Sequence, residues 1–190
     1  MNSYYIHPQA IVETSSIGKD SKIWAFTHIL PKAVIGKNVV IADHCFIEND
    51  VLIGNSVTIK CGVFLWDGLR IEDDVFLGPG ACFTNDKYPR SKNTNYKQEK
   101  TVLRKGCTIG ANATVIAGME IGRYALVGAG AVVTKNVPDF ALVFGNPAIV
   151  HGYVCVCGNK LIFQDSKASC SCGREYVLDG LTVNIVKEKI

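Results

Sequence analysis

The 190-residue chain has little of what would mark a membrane, secreted or nucleic-acid-binding protein. No apolar run approaches the ~18–20 residues needed to cross a bilayer. The opening Met1-Asn2-Ser3-Tyr4-Tyr5 has no basic region followed by an apolar stretch, so no signal peptide is expected. An excess of one charge is also missing: 20 Lys and Arg face 17 Asp and Glu, a net +3, too mild to argue for nucleic acid as a partner. Charged residues are only 19% of the chain and apolar ones 48%. That balance excludes a disordered chain and supplies core enough for one domain with a small appendage. A soluble, cytoplasmic protein without a membrane partner is expected. Its eight cysteines are then thiols or metal ligands rather than disulfides.

What is present is a repeat. Steps of six from Ile11 land on Ile17, Ile23, Ile29, Ile35, Ile41, Ile47, Ile53, Ile59, Leu65, Ile71, Leu77 and Phe83. After a break the phase resumes at Leu103, Ile109, Val115, Ile121, Val127 and Val133. Four residues after most hits sits a small or β-branched residue, as at Ser21, Thr27, Ala33, Val39, Cys45 and Cys107. Neither helical periodicity nor simple strand alternation produces a strict period of six. The pattern resembles the hexapeptide repeat, which implies an all-β chain folded as a left-handed parallel β-helix with three hexads per coil and about six coils. Residues 18 apart then stack, at about the 4.8 Å spacing of neighbouring strands. Gly18, Gly36 and Gly54 share one such column, where glycine is expected for its tolerance of unusual backbone angles. Cys45 and Cys107 fill the small inward slot as packing residues.

The second phase is displaced from the first by fourteen residues, 89–102, expected as an ejected loop. Between Asp86 and Lys105 there are seven positive and two negative residues, a composition suited to phosphate through Arg90 and Lys92. Just before the loop lies Phe83-Thr84-Asn85-Asp86. By the 18-residue rule Asn85 stacks over Asp67, Asp67 over Asn49, and Trp66 over Glu48. A polar ladder beside an aromatic ring is therefore expected at the loop base.

The hexads, Ile59-Lys60-Cys61-Gly62-Val63, Trp66-Asp67-Gly68 and the segment from Phe83 through Pro89-Arg90-Ser91 resemble the nucleotide-linked amino-sugar N-acetyltransferases. Within them the similarity is greatest to enzymes of dTDP-3-amino-3,6-dideoxyhexoses, used for surface polysaccharide or glycan biosynthesis. Enzymes of UDP-linked 3-amino-uronic acids are the alternative. Residues 127–135 and Val143-Phe144-Gly145-Asn146-Pro147-Ala148 are similar to the family's coenzyme A segment. The resemblance implies acetyl-CoA as co-substrate, held by Gly128, Ala129, Thr134, Lys135, Asn146 and Pro147. It also implies a homotrimer with sites between neighbouring helices, and an asparagine, matching Asn85, that orients the sugar amine. Asn49, Trp66, Asp67, Asp86 and Arg90 are expected substrate contacts, with His28 from a His-bearing hexad. The family usually has a basic residue after the final Ala, where Ile149 stands here.

A hydroxyl acceptor would call for a histidine base at the loop base, but His7, His28, His44 and His151 all lie elsewhere. Only His28 and His44 are borne on hexads, too few for the three-histidine metal site of a γ-type carbonic anhydrase. A non-catalytic scaffold would need neither the coenzyme A segment nor the basic loop.

After Pro147 the repeats end. Cys155-Val156-Cys157-Gly158 and Cys170-Ser171-Cys172-Gly173 read as two knuckles of a four-cysteine structural zinc site, with one intervening residue where two are usual. Two units are thus expected: a β-helix over 1–150 and a zinc-ribbon-like tail over 151–190, with strands around Leu161-Ile162-Phe163 and Glu175-Tyr176-Val177.

Overall fold

Most hits of the six-residue period close a very short strand, as in Lys22–Ile23, His28–Ile29 and Val34–Ile35. Alternation across the strand sends that residue inward and its predecessor outward. A computed structural model describes residues 3–93, 95 and 97–188; Thr94 and Tyr96 of the expected loop lie outside the described residues. Successive strands pass in turn to three parallel sheets, making a three-sided β-helix with no α-helix among the described residues. Ile23, Ile41, Ile59, Leu77, Ile109 and Val127 stack through its centre without solvent contact. The small slot holds Cys45 and Cys107, both buried, and burial pushes the Cys45 thiol up to about 11. Where that slot is polar its hydroxyl is bonded: Thr27 Oγ1 donates to the Ala42 carbonyl at 2.8 Å.

Coil length varies at defined places. In the middle Lys22 pairs Val40 and Val40 pairs Thr58, the 18-residue step. At the start, Tyr5 pairs Lys22 and Ile11 pairs His28, one residue short. A one-residue slip reverses faces, so Ile11, the first apolar hit, is 59% exposed and Val12 stands level with Ile29 instead. At the far end Leu126 pairs Leu142, two residues short. With these irregular end turns the first sheet has eight parallel strands, so the solenoid has about eight turns where the hexads alone imply about six.

The displaced phase appears as Phe76 pairing Thr108 and Cys82 pairing Thr114, 18 residues plus the fourteen extra. The ejected segment differs from 89–102, however. Thr101–Leu103 is a strand and Thr101 is buried, so the chain leaves after Phe83 and is back in the sheet at Thr101. A phase shift counts the extra residues without saying which they are.

The glycine column has another cause than backbone angle. Gly18, Gly36 and Gly54 have ordinary φ, but a Cβ on Gly36 would collide with the carbonyl of Gly54, and one on Gly18 with Gly36. The left-handed corner positions are taken by Asp20, Asn38, Ser56 and Asp74, with φ of 62°, 55°, 55° and 62°.

At the end of the coil, Ala141–Gly145 turns at Asn146-Pro147 into the antiparallel strand Ala148–Val154, which crosses the expected division at residue 150. Lys160–Leu161 follows, then a separate sheet of Lys167–Ser169, Glu175–Asp179 and Thr182–Lys187. Tyr176, 1% exposed, sets its ring edge-on to Phe140 at 5.8 Å, and Phe140 stacks on Tyr124 at 5.4 Å. The tail is seated on the last coil through these rings.

Candidate active site

The corner that follows the second sheet gathers the expected catalytic region. Its register places Asn49, Asp67, Asn85, Ala117 and Lys135 in one column. Lys135 therefore stands two coils from Asn85, about 10 Å along the axis at the usual strand spacing.

Much of this column is occupied with holding the corners together. The Asp67 carboxylate accepts the Asp50 N–H at 2.6 Å, and the Asn49 side-chain oxygen accepts the Lys32 N–H at 3.2 Å. Glu48 accepts the Asp67 N–H at 2.6 Å. Asn55, Asp73 and Asp139 do the same at other corners. Asn85 is different: it is half-buried, and its side-chain amide makes no hydrogen bond among the described residues.

The backbone under Asn85 is held on both sides. Trp66 Nε1 donates to the Phe83 carbonyl at 2.8 Å, and the Thr84 hydroxyl accepts the Ala117 N–H at 2.9 Å. Trp66 thus acts on the segment beneath the amide. Asp86 is turned back on the loop, accepting the Tyr88 N–H at 2.8 Å, and Arg90 donates to its own neighbour's carbonyl, that of Pro89, at 2.8 Å.

A cleft of about 10 Å³ opens beside Asn85, lined among others by Trp66, Asp67, Phe83, Glu99 and Thr101. That is room for about one water. A larger hollow of about 300 Å³ lies under the loop, lined by Asp86, Lys87, Tyr88, Asn93, Lys97 and Glu99 among others. Glu99 borders both. The returning loop crosses the coil over Gly68 and Gly118, where a Cβ would meet Gln98 at 2.7 Å and Glu99 at 3.3 Å respectively. Glu99 escaped the sequence reading because its place depends on the path of the loop, although Gly68 and Gly118 were visible signs of a close crossing.

His28 is not brought to this corner. It lies on the outer face of the second sheet, three coils from the Cys82–Phe83 strand and about 14 Å along the axis. There its Nε2 is 2.8 Å from Glu13 and its ring is edge-on to Phe46. The coenzyme A residues divide between two corners. Thr134 and Lys135, both exposed, are in the Asn85 column or beside it. Gly128 and Ala129 follow the first sheet, with Gly128 against Phe144, and Asn146 and Pro147 form the hairpin tip beyond. At that hairpin Ile149 is 59% exposed and His151 stacks on Phe144 with centroids 3.6 Å apart.

In the tail the four sulfurs of Cys155, Cys157, Cys170 and Cys172 lie within 4.8 Å of one another. Burial pushes the Cys155 thiol up to about 12, while the Arg174 N–H pulls Cys172 down to about 6.

Two stretches, residues 14–49 and 100–135, match the family described as bacterial transferase hexapeptide (six repeats). A dTDP-3-amino-3,6-dideoxy-α-D-galactopyranose 3-N-acetyltransferase of Aneurinibacillus thermoaerophilus is 55% identical over 183 residues, spanning 96% of this chain and 95% of that protein. The chain belongs to the hexapeptide-repeat nucleotide-sugar N-acetyltransferases. A bifunctional GlmU protein of Acetivibrio thermocellus is 32% identical over 70% of this acetyltransferase, which spans only 27% of the larger protein. Among solved structures, the acetyltransferase is similar to a perosamine N-acetyltransferase from Caulobacter crescentus, in complex with CoA and GDP-perosamine. The TM-score is 0.53 at 26% identity, over 77% of this chain and 55% of that one. A hexapeptide-repeat acetyltransferase from Vibrio cholerae complexed with acetyl coenzyme A shares the fold, with a TM-score of 0.56 at 24% identity over 72% and 69% of the two chains. No helix among the described residues of the acetyltransferase is long and apolar enough to cross a membrane.

Proposed function

We propose that the protein transfers the acetyl group of acetyl-CoA to the 3-amino group of a dTDP-3-amino-3,6-dideoxyhexose, with the galactose configuration favoured. The observation that carries this reading is 55% identity to such an enzyme along nearly the whole of both chains.

The neutral sugar amine attacks the thioester carbonyl. A C–N bond forms, the C–S bond breaks, and the ammonium proton passes to the departing coenzyme A thiolate. An amine is nucleophilic once deprotonated, so positioning matters more than a strong base. Asn85, on a backbone braced by Trp66 and Ala117 and with an unengaged amide, orients that amine. Glu99, which borders the same cleft, is a second contact for it. Backbone N–H groups meet the developing oxyanion. Coenzyme A runs along the column toward Lys135, with Gly128, Ala129, Thr134, Asn146 and Pro147 as its further contacts. Asp67, Asn49, Asp86, Arg90 and His28 remain substrate contacts in this reading, the last reaching a neighbouring subunit's site.

A homotrimer accounts for two features. The cleft is too small for a sugar on one chain, and apolar side chains such as Ile11, Phe64, Val34 and Leu52 face solvent on the flat sides. Residues 1–150 carry the chemistry, and 151–190 form the tail that closes the coil. Acetyl-CoA and nucleotide sugars are cytoplasmic compounds, which puts the enzyme in the cytoplasm.

The test is product mass after incubation with acetyl-CoA and four acceptors: the dTDP-3-amino-3,6-dideoxy-galactose, its glucose epimer, the 4-amino isomer and a UDP-3-amino-glucuronate. Acetylation of the galactose compound, falling by about 10²-fold or more in Asn85→Ala, is expected. Acetylation of the uronate alone would reassign the acceptor, and no coenzyme A binding would overturn the transferase.

A further inference from the structure

We propose that Cys155, Cys157, Cys170 and Cys172 hold one structural zinc ion that ties the tail over the open end of the β-helix. A tetrahedron of sulfurs at the usual Zn–S length of about 2.3 Å has edges of about 3.8 Å. The four sulfurs here lie within 4.8 Å of each other, with cross-knuckle approaches of 3.4 Å for Cys155–Cys172 and 3.5 Å for Cys157–Cys170. A small inward or outward movement of each converts this cluster into that tetrahedron.

The short C-x-C spacing is accommodated by two copies of one turn. In the first, Cys155 N–H donates to the Asn159 carbonyl at 2.8 Å and Gly158 N–H to the Cys155 carbonyl at 2.8 Å. In the second, Cys170 N–H donates to the Arg174 carbonyl at 2.9 Å and Gly173 N–H to the Cys170 carbonyl at 2.9 Å. Gly158 and Gly173 take φ of 89° and 92°, a left-handed conformation that glycine reaches without strain. Matching knuckles from separate segments, facing each other, are the architecture of a four-thiolate site.

The sulfurs also have outer partners of the kind that orient metal ligands. Tyr176 Oη is 2.9 Å from Cys155 Sγ, Arg174 Nη1 donates to Cys172 Sγ at 3.5 Å, and Asn159 Nδ2 to Cys170 Sγ at 3.9 Å. Tyr176 connects the cluster to the coil, because the same side chain packs on Phe140. The buried apolar residues of the tail itself are few: Tyr153, Val154, Leu161, Ala168, Tyr176 and Val183, beside Cys155. A unit so small ordinarily needs a metal or a disulfide. Four thiolates leave no coordination position for substrate, so the ion holds structure and takes no part in acetyl transfer.

The experiment is metal analysis of the full-length protein, purified without chelators or a metal-affinity step from zinc-supplemented cells, with its intact mass under non-reducing conditions. One zinc per chain is expected, falling to about a tenth or less in the Cys157→Ser/Cys170→Ser double variant and unchanged in Cys61→Ser/Cys82→Ser. Limited proteolysis of the double variant, or of chelator-treated wild type, is expected to cut first within 151–188 and leave the coil whole. Zinc below a tenth per chain in the wild type, even after reduction and zinc addition, would overturn the proposal. So would a non-reducing mass showing two disulfides, or iron in place of zinc. Metal content is read without any acceptor, so its outcome is independent of the acetylation assay.

Discussion

The coil and the tail are ordered by opposite means. In the coil, strands of two residues would be worthless alone, yet each inward side chain rests on its equivalent one turn away. Many corner oxygens cap an N–H of the neighbouring turn, as Asp67 does for Asp50. Stability there is a sum of many similar interfaces. The tail has longer strands, seven residues in Ala148–Val154 and six in Thr182–Lys187, but no repetition. Its order is concentrated in one sulfur cluster and one tyrosine. Damage to the coil should therefore spread to every turn, and damage to the tail should stay local.

The severest challenge to that contrast is Leu77→Asp. Leu77 is fully buried in mid-coil, and an unpaired charge there costs on the order of 5 kcal/mol or more. Loss of soluble, folded protein by size-exclusion chromatography and circular dichroism is expected, and a well-folded variant would mean the central stack is not what holds the turns. Next comes Gly36→Ala, which drives a methyl into the Gly54 carbonyl and should cost about 1–3 kcal/mol, read as a lower denaturation midpoint. Gly130→Ala, where nothing lies near the new atom but φ is 69°, should cost only about 1 kcal/mol.

A finer probe is Trp66→Phe. It leaves the Phe83 carbonyl without its indole donor, worth about 1 kcal/mol, and should lower kcat about fivefold while the KM for acetyl-CoA stays put. The mildest is thiol labelling at pH 8. Cys61 and Cys82 are exposed and should react at once. Cys45, pushed up to about 11 by burial, keeps about a thousandth of its thiol ionised at that pH and should react far more slowly. Rising pH should speed it about tenfold per unit without bringing it level with the exposed pair.

The same contrast governs what could be read in advance. Repetition is legible: the inward residues, the packing role of Cys45 and Cys107 and the count of fourteen extra residues follow from period and phase, and the resemblance to the hexapeptide repeat adds the three-sided coil. Breaks in repetition are not. Ile11 fits the period yet faces out, because a 17-residue first turn shifts its strand by one. The ladder of Asn49, Asp67 and Asn85 follows from the register, but which of the three is left unbonded depends on corner geometry. Glu99 reaches the cleft through a loop whose path no periodicity dictates. In the tail, the two Cys-x-Cys-Gly knuckles suggested a metal, and the approach of their four sulfurs to within 4.8 Å of one another was visible only in three dimensions.

The unequal lengths of the end turns have a consequence for aggregation. A solenoid of identical turns presents, at each end, a template on which another molecule's end could add without limit, as strands do in a fibril. Here the first turn is out of step with the second, so no incoming copy in regular step matches it. At the other end Ala148–Val154 runs antiparallel across the last parallel strand. The irregularities that obscure the repeat are thus its punctuation, allowing side-by-side association while forbidding endless growth along the axis.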